Sequence, residues 1–372
     1  MHRRMTVAVK YHVGCFPPAC VDWERLAPAL TDAGMALARY DEFLGIIPNP
    51  EILTAPMLMQ EAVTSSRIEG TQATVGDVLE YNAGNVDVPP AKRDDIREVV
   101  NYQIAVKVAE EMLETIPLCG RILKGAHRIL LSGVRGEMKS PGEYRREQNW
   151  IGTYGSAIED ARYVPAAPEL VDDLMSEWEK FVNDDNLIAL YKIAVAHAEF
   201  ESIHPFNDGN GRIGRMIVPL MMTSAGLLRH PCFYLSEFFE KRTTEYQDRL
   251  LAVSKENDWT GWCLFFLRAV RDQALDNNRR ARGIFELNQN LKKELAKRSG
   301  SSHTDAVVDK LFQGSIFSVS DFTKIDGVNS QVARRLLRLL EDMGTIKTLR
   351  EASGRRPAIM VFPELLRLTD TV

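Results

Sequence analysis

The stretch HPFNDGNGRIGR, from His204 to Arg215, decides how the rest of the chain is interpreted. Its twelve residues include one histidine, one carboxylate, three glycines and two arginines. The residues before it, 187–200, have helical apolar periodicity, and GRMIVPLMMTSAG, which begins within it, is apolar on all sides. The stretch is therefore predicted to be a loop that joins two buried helices.

The second half of this stretch has the residues of a phosphate site. Gly209 and Gly211 allow backbone N–H groups to converge on an anion, and the following helix directs its positive end at the loop. Asn210 can hydrogen-bond a phosphate oxygen. Arg212 and Arg215 are three residues apart on one helical face, where their guanidinium groups can hold phosphate oxygens.

The first half supplies a base and a carboxylate. His204 precedes the loop and is placed to take a proton from an attacking hydroxyl. Asp208 provides the single carboxylate that Mg²⁺ on a nucleotide usually requires. The combination predicts phosphoryl or nucleotidyl transfer, in which positioning and charge stabilisation do most of the work.

The same letters also fit a dinucleotide-binding pattern, because GNGRIG matches GxGxxG. That site requires a strand before the glycines, whereas the preceding segment has helical periodicity and ends in His-Pro. The chain contains no GxxxxGK[ST] phosphate loop. Both common nucleotide folds are therefore disfavoured.

Outward from the loop, most of the chain has helical periodicity. Helices are predicted at 23–44, 51–69, 94–115, 121–132, 168–182, 187–200, 242–254 and 258–296. Residues 136–168 are rich in turn formers and predict a hairpin or exposed flap around Trp150 and Ile151, and residues 148–158 should present a free strand edge. The polar run LKKELAKRSGSS is predicted to be a linker.

Residues 303–372 have the element order of a winged helix: two helices, then two strands joined by a turn. Its candidate recognition helix and wing are basic, with Arg334, Arg335, Arg338, Lys347, Arg350, Arg355 and Arg356. A basic helix and wing suit duplex DNA. The alternative is a module for protein contacts, including a homodimer, and the sequence does not separate the two.

The composition of the chain excludes several classes of protein. The chain has 372 residues and a formal net charge of −5, which excludes a protein that coats nucleic acid by bulk charge. Its five scattered cysteines form no CxxC pair and indicate neither a zinc site nor a disulfide framework. No apolar run approaches the roughly 20 residues that span a bilayer. We expect a soluble, cytoplasmic protein of two or three domains that does not enter membranes.

The motif resembles the signature of Fic proteins, HxFx[DE]GNGRxxR, and the resemblance extends over roughly residues 50–270. It implies a mainly α fold: an all-α Fic core with a short β-hairpin flap, followed here by the small winged-helix domain. It also implies transfer of AMP from ATP to a Ser, Thr or Tyr hydroxyl of a target protein, with Mg²⁺. His204 would then be the base and Asp208 would hold Mg²⁺. The implied nucleotide-binding set is Glu69, Gly209, Asn210, Gly211, Arg212, Ile213, Gly214, Arg215 and Arg242, the last standing where many relatives have an asparagine near the adenine.

A second motif sharpens this resemblance. Residues 65–70, SSRIEG, fit the Fic inhibitory motif [ST]xxxE[GN], which makes Ser65 and Glu69 inhibitory residues. A carboxylate at Glu69 can pair with Arg215, and an arginine held in that way cannot grip the γ-phosphate. We expect that pair to be largely buried.

The predicted organisation has three parts. They are an N-terminal helical region with the inhibitory motif (1–110), a Fic core (111–298) with its flap at 140–160, and the winged-helix module (299–372). The predicted function is an autoinhibited protein adenylyltransferase. The alternative is a DNA-binding transcriptional regulator whose Fic domain senses ATP.

Overall fold

The computed structural model describes residues 8–47, 49–84, 88–152, 157–230, 232–353 and 357–369. It is mainly helical, as expected. In chain order the helices are α1 (Trp23–Ile46), α2 (Glu51–Ile68), α3 (Val75–Asn82), α4 (Pro90–Leu113), α5 (Gly120–Leu130), α6 (Val171–Val182), α7 (Ala189–Ile203), α8 (Asn210–Ser224), α9 (Ser236–Glu240), α10 (Thr243–Glu256), α11 (Trp259–Ser299), α12 (Thr304–Leu311), α13 (Ser330–Asp342) and α14 (Pro363–Thr369). Within the described residues, no helix is both long and apolar enough to cross a membrane.

Helices α7 and α8 form the centre of the core, because nearly every side chain on them is buried. Two tryptophans attach neighbouring helices to α7. The indole N–H of Trp178 donates to the Ala196 carbonyl at 2.8 Å, and that of Trp262 donates to the Ala194 carbonyl at 2.7 Å. These bonds satisfy the polar end of each buried ring. The loop between α7 and α8 is therefore fixed at both ends by a rigid pair of helices.

Two small sheets complete the fold. Strand β1 (Val9–Lys10) pairs in parallel with β2 (Tyr163–Val164). In the C-terminal region, β3 (Ile316–Ser318), β4 (Lys347–Arg350) and β5 (Ile359–Val361) form an antiparallel sheet in the order β3-β5-β4. The predicted order of two helices and two strands is present, with β3 and α14 added to it. The winged-helix assignment itself stays a prediction.

The predicted linker at the end of α11 is wrong, because that helix continues to Ser299. Leu291 and Leu295, four residues apart, are both buried and give this polar stretch an apolar stripe. Its Lys and Glu residues are good helix formers. Gly300, in the left-handed region at φ 61°, ends the helix.

The N-terminal region packs closely with the rest of the chain. Helix α1 lies along α11, and α2 contacts α4, α8, α9 and α11. The proposed boundary between residues 110 and 111 falls within α4, which begins at Pro90, a residue favoured in the first helical turn. The division into an N-terminal region, a core and a C-terminal module remains a proposal.

Candidate active site

The loop between α7 and α8 begins and ends with left-handed residues. His204 closes α7 at φ 52° and ψ 60°, and Gly209 precedes α8 at φ 76°. A side chain at Gly209 would be strained by that φ and would also press against Leu130. The chain therefore reverses sharply, and α8 starts with its backbone N–H groups directed into the loop.

Asn210 braces this loop from within. Its side-chain amide donates to the Phe206 carbonyl at 2.8 Å, and its side-chain oxygen accepts from the Phe206 N–H at 2.8 Å. The residue is buried. Asn210 therefore fixes the loop's shape. Its predicted bond to phosphate stays a prediction, because the amide nitrogen has a second N–H that these bonds do not use.

His127 of α5 holds the loop from the outside, a role that sequence reasoning missed. The N–H of Gly142 donates to His127 Nδ1 at 2.8 Å, so the ring proton is on Nε2 and donates to the Asp208 carbonyl at 2.9 Å. The ring also stacks on Phe206, with centroids 3.9 Å apart. Burial lowers the pKa of His127 to about 4, which keeps the ring neutral and this tautomer fixed.

Arg145, within the predicted flap region, is a second brace that was missed. Its side chain is buried and donates to the carbonyls of Ala166, His204 at 2.9 Å, Glu147 at 3.1 Å and Ile203 at 3.2 Å. Burial lowers its pKa to about 10, so it is still a cation at neutral pH. The guanidinium thus fixes the backbone on which His204 stands.

His204 is suited to act as a base. Its Nδ1 lies 3.4 Å from the Glu201 carbonyl, and a proton held there leaves Nε2 as an acceptor. Burial lowers the pKa of His204 to about 4, with a smaller contribution from the Arg145 charge. The ring is therefore neutral at physiological pH, as a general base must be.

Arg215 is held by the C-terminal part of α2. Its Nε donates to Ser65 Oγ at 2.9 Å, and one terminal nitrogen donates to the Ser65 carbonyl at 2.9 Å and to Glu69 Oε1 at 2.7 Å. Burial raises the pKa of the Glu69 carboxyl, but the charge and hydrogen bond of Arg215 outweigh it, and the net pKa is lowered. The carboxylate is therefore ionised and firmly paired.

The position of Glu69 is as informative as its pairing. A Cβ added at Gly211 would collide with Glu69 Oε1, so the carboxylate lies directly against the first turn of α8. This is where a helix attracts an anion. The pair is less buried than expected: the Arg215 side chain is 3% exposed, but that of Glu69 is 36% exposed. Glu69 is therefore partly exposed at the entrance of the site, whereas Arg215 is buried.

Arg212 is also engaged. One terminal nitrogen donates to Glu98 Oε2 at 3.1 Å and the other to Asp208 Oδ1 at 3.4 Å. Glu98 lies on α4 and is also 3.3 Å from Arg135. Within the described residues, Nε of Arg212 is buried without a hydrogen-bond partner. Arg212 therefore ties the motif to the N-terminal region in this state.

Three predicted nucleotide-binding residues make contacts with the protein itself in this structure, and their binding roles stay predictions. Ile213 is fully buried in the core, and its N–H donates to the Gly209 carbonyl. Gly214 lies where α8 approaches α7, since a Cβ there would collide with Glu201. The guanidinium of Arg242 lies 4.0 Å from the Phe238 ring centroid, at the start of α10. The first two are packing residues in this structure, because their side-chain positions face the core.

Asp208 remains the candidate for holding Mg²⁺. Its side chain is 38% exposed, and its contact with Arg212 is long at 3.4 Å. Among the described residues, no group of three or more His, Cys, Asp or Glu side chains is arranged to hold a metal. An accessible lone carboxylate fits a Mg²⁺ ion whose other ligands are nucleotide phosphates and water.

The flap prediction is met only in part. Ile151 forms an isolated antiparallel bridge with Tyr163, and residues 153–156 lie outside the described part. The Ile151 N–H donates to the Tyr163 carbonyl at 2.9 Å, and its carbonyl accepts from Tyr163 and Arg162. The expected free edge is therefore wrong at Ile151, because its backbone groups are already paired within the chain.

Comparisons with known proteins agree with this geometry. The family model described as Fic/DOC family N-terminal matches residues 27–111, and the Fic/DOC family model matches residues 117–222. Two curated relatives, both named "Protein adenylyltransferase Fic", come from Drosophila erecta (25% identical) and Drosophila melanogaster (26% identical). Each match covers 171 residues, which is 45% of this chain and 32% of the relative. The matched part is thus about a third of those proteins.

Solved structures are similar in fold. A Fic family protein from Desulfovibrio desulfuricans has a TM-score of 0.59 at 20% identity and covers 93% of this chain and 98% of its own. Fic-1 from C. elegans has a TM-score of 0.55 at 20% identity, with 71% of this chain and 76% of its own covered. The expected Fic fold is confirmed. Because the two family models together match just over half of the chain, the chain belongs to the Fic/DOC family.

Proposed function

We propose that this protein is a protein adenylyltransferase that is held inactive by its own Glu69. A target hydroxyl oxygen attacks the α-phosphorus of ATP, a new P–O bond forms, and the bond to the bridging oxygen breaks to release pyrophosphate. His204 takes the hydroxyl proton on Nε2. The names of the curated relatives and the neutral state of His204 support this reaction.

The nucleotide phosphates would bind at the first turn of α8. Gly209 and Gly211 leave room there, the N–H groups point outward, and Arg215 lies within one helical turn. Asp208 would hold Mg²⁺, which neutralises phosphate charge when bound. Fixed dipoles and charges of this kind stabilise a transferring phosphoryl group without reorganisation.

Inhibition follows from one observation, which carries the proposal. The Glu69 carboxylate is 2.7 Å from the Arg215 guanidinium and lies against Gly211, in the place that an anionic phosphate group would take. A carboxylate and a phosphate repel each other, and they compete for the same donors. ATP that enters beside Glu69 therefore lacks its arginine contact and binds in an unproductive geometry.

The test uses labelled ATP, Mg²⁺ and a cell lysate. Glu69→Gly should label a lysate protein or the enzyme itself more strongly than the parent does. The same protein carrying Glu69→Gly and His204→Ala should bind ATP but label nothing. Absence of labelling by Glu69→Gly across a range of divalent metals would refute the activity.

A second function, DNA binding, is favoured by the basic face of α13. Arg334, Arg335 and Arg338 are all exposed on that helix, and Lys347 of β4 is exposed beside it. Arg355 and Arg356 of the predicted wing lie outside the described residues. If the protein were a regulator that only senses ATP, His204→Ala would keep DNA binding and its response to ATP, and no adenylyl transfer would be detectable.

A further inference from the structure

A second pocket opens along α5. It has a volume of about 580 Å³ and is bounded by α5, the end of α4 and residues 142–144. Gly120 and Gly125 form part of its lining, and because they have no side chains they leave space beside α5. The pocket does not belong to the nucleotide site, because no residue of the 204–215 motif lines it.

Three cations line one side of this pocket. Arg121, Lys124 and Arg128 follow one another at helical spacing along α5. Within the described residues, neither Arg121 nor Lys124 forms an ion pair, and Arg128 reaches only Glu143, at 3.8 Å with both side chains well exposed. The Lys124 ammonium lies 4.0 Å from the Tyr144 ring centroid. The cations are thus held over the pocket and available to an anion.

Tyr144 supplies an independent sign of a ligand. Tyr144 is only 7% exposed, it lines the pocket, and its hydroxyl has no hydrogen-bond partner in the described part of the chain. A buried hydroxyl without a partner costs free energy. A ligand oxygen would satisfy it after a small turn of the Tyr144 ring toward the pocket, because the hydroxyl oxygen itself is covered in this structure.

Two carboxylates also face the pocket, and both are already used. Glu179 Oε1 accepts the Gly120 N–H at 2.6 Å, which caps the start of α5. Glu143 lies at the rim beside Arg128. The charged side chains that line the pocket are therefore three cations and two carboxylates, and the cations follow one another from Arg121 to Arg128 over about 10 Å of helix.

We propose that this pocket binds an acidic segment of a protein, with carboxylates on Arg121 and Lys124 and one acceptor on the Tyr144 hydroxyl. A row of cations about 10 Å long matches two or three acidic side chains along a peptide, whereas one phosphate would engage only one or two of them. The planar guanidinium group of an arginine can bind a carboxylate through two parallel hydrogen bonds. Such a groove selects partners by charge and raises their rate of encounter.

The pocket lies next to the elements that hold the active-site loop. Gly142 lines it and donates to His127, and Tyr144 packs against Phe206 with centroids 5.4 Å apart. A segment bound here would bring its own chain close to His204. The identification of that segment as part of the modified protein rests on the function proposed above, whereas peptide binding does not.

The test measures binding of a fluorescein-labelled hexaglutamate peptide by anisotropy at low salt, with the full-length protein. Arg121→Glu with Lys124→Glu should weaken binding by at least about tenfold, since charge-assisted hydrogen bonds are lost and charge is reversed. Tyr144→Phe should weaken it by about threefold to tenfold. Lys293→Glu with Lys297→Glu, at two exposed lysines of α11, is the matched control with the same change in charge and should bind as the parent does.

Circular dichroism and ATP binding of each variant check that folding and the nucleotide site are unchanged, so a loss at Arg121 and Lys124 is not a folding defect. Equal peptide binding by the parent and the double variant would overturn the proposal. So would inorganic phosphate that displaces the peptide at equal concentration, because it would assign the pocket to a single small anion. These outcomes do not depend on adenylyl transfer, so the proposed enzyme activity can fail or succeed separately.

Discussion

Replacing Glu69 with glycine removes the carboxylate that lies against the first turn of α8 at Gly211, and it should make adenylyl transfer faster. In the parent, Arg215 donates to Glu69 Oε1 at 2.7 Å and twice to Ser65. Without Glu69, Arg215 still has both bonds to Ser65, so it stays ordered and gains one free N–H for a phosphate oxygen. The space beside Gly211 that the Glu69 carboxylate fills also becomes free for a phosphate group.

The expected gain follows from that one contact. A donor aimed at developing charge is worth about 2–4 kcal/mol, which corresponds to about 30- to 1000-fold in rate. The substitution should also lower the free energy of unfolding by about 1–3 kcal/mol, because Arg215 is only 3% exposed and loses the counter-charge of the half-exposed Glu69. Activity and stability should therefore change in opposite directions.

The assay is incorporation of labelled AMP at saturating ATP and Mg²⁺, measured as an initial rate. Glu69→Gln tests charge alone at nearly constant size and should give an intermediate rate. Glu240→Gln is the matched control, because Glu240 also pairs with α2, through Arg67 at 3.3 Å, but lies outside the phosphate site. Equal rates for the parent and Glu69→Gly would show that Glu69 is an ordinary carboxylate at a helix end.

Three further variants or conditions test the same site. Arg215→Ala should abolish labelling in the parent and in Glu69→Gly, because the gripping group itself is lost; residual labelling in the double variant would contradict its role. In Glu69→Gly, kcat/KM should stay level from about pH 8 to about pH 5.5, since burial lowers the pKa of His204 to about 4 and loss of the Glu69 charge lowers it further; an acid limb near pH 6.5 would mean an unperturbed histidine. Arg145→Met should lower the free energy of unfolding by about 3 kcal/mol in urea titrations, since four carbonyls lose their donor; an unchanged midpoint would rule out the brace.

The helices and the motif could be predicted because each depends on local pattern. Periodicity placed α1, α2, α7 and α8, and the two short motifs placed Glu69 and Arg215 on the same site. The apolar periodicity was weaker at the end of α11, where only two leucines show that the helix continues. Leu291 and Leu295 are buried within a stretch that is otherwise polar. A composition of Lys, Glu and Ser does not separate a solvated helix from a linker.

The supports of the loop could not be predicted, because they act on backbone atoms far away in sequence. His127 binds the Asp208 carbonyl across 81 positions, and Arg145 binds the His204 carbonyl across 59. Every residue has a backbone carbonyl, so the residue type does not show which carbonyl accepts a hydrogen bond. The bracing role of Asn210 was not predicted for the same reason, since residue type does not show its bonds to the Phe206 main chain.

The most direct test of the central claim is the intact mass of Glu69→Gly, together with that of any labelled target, after incubation with Mg²⁺ and an equal mixture of ATP, GTP, CTP and UTP. The account predicts a mass increase of one adenylyl group, absent from the parent at the same time point and from the variant that also carries His204→Ala. A parent protein modified as fast as Glu69→Gly would contradict inhibition by Glu69. No adduct in any variant would contradict the transferase itself.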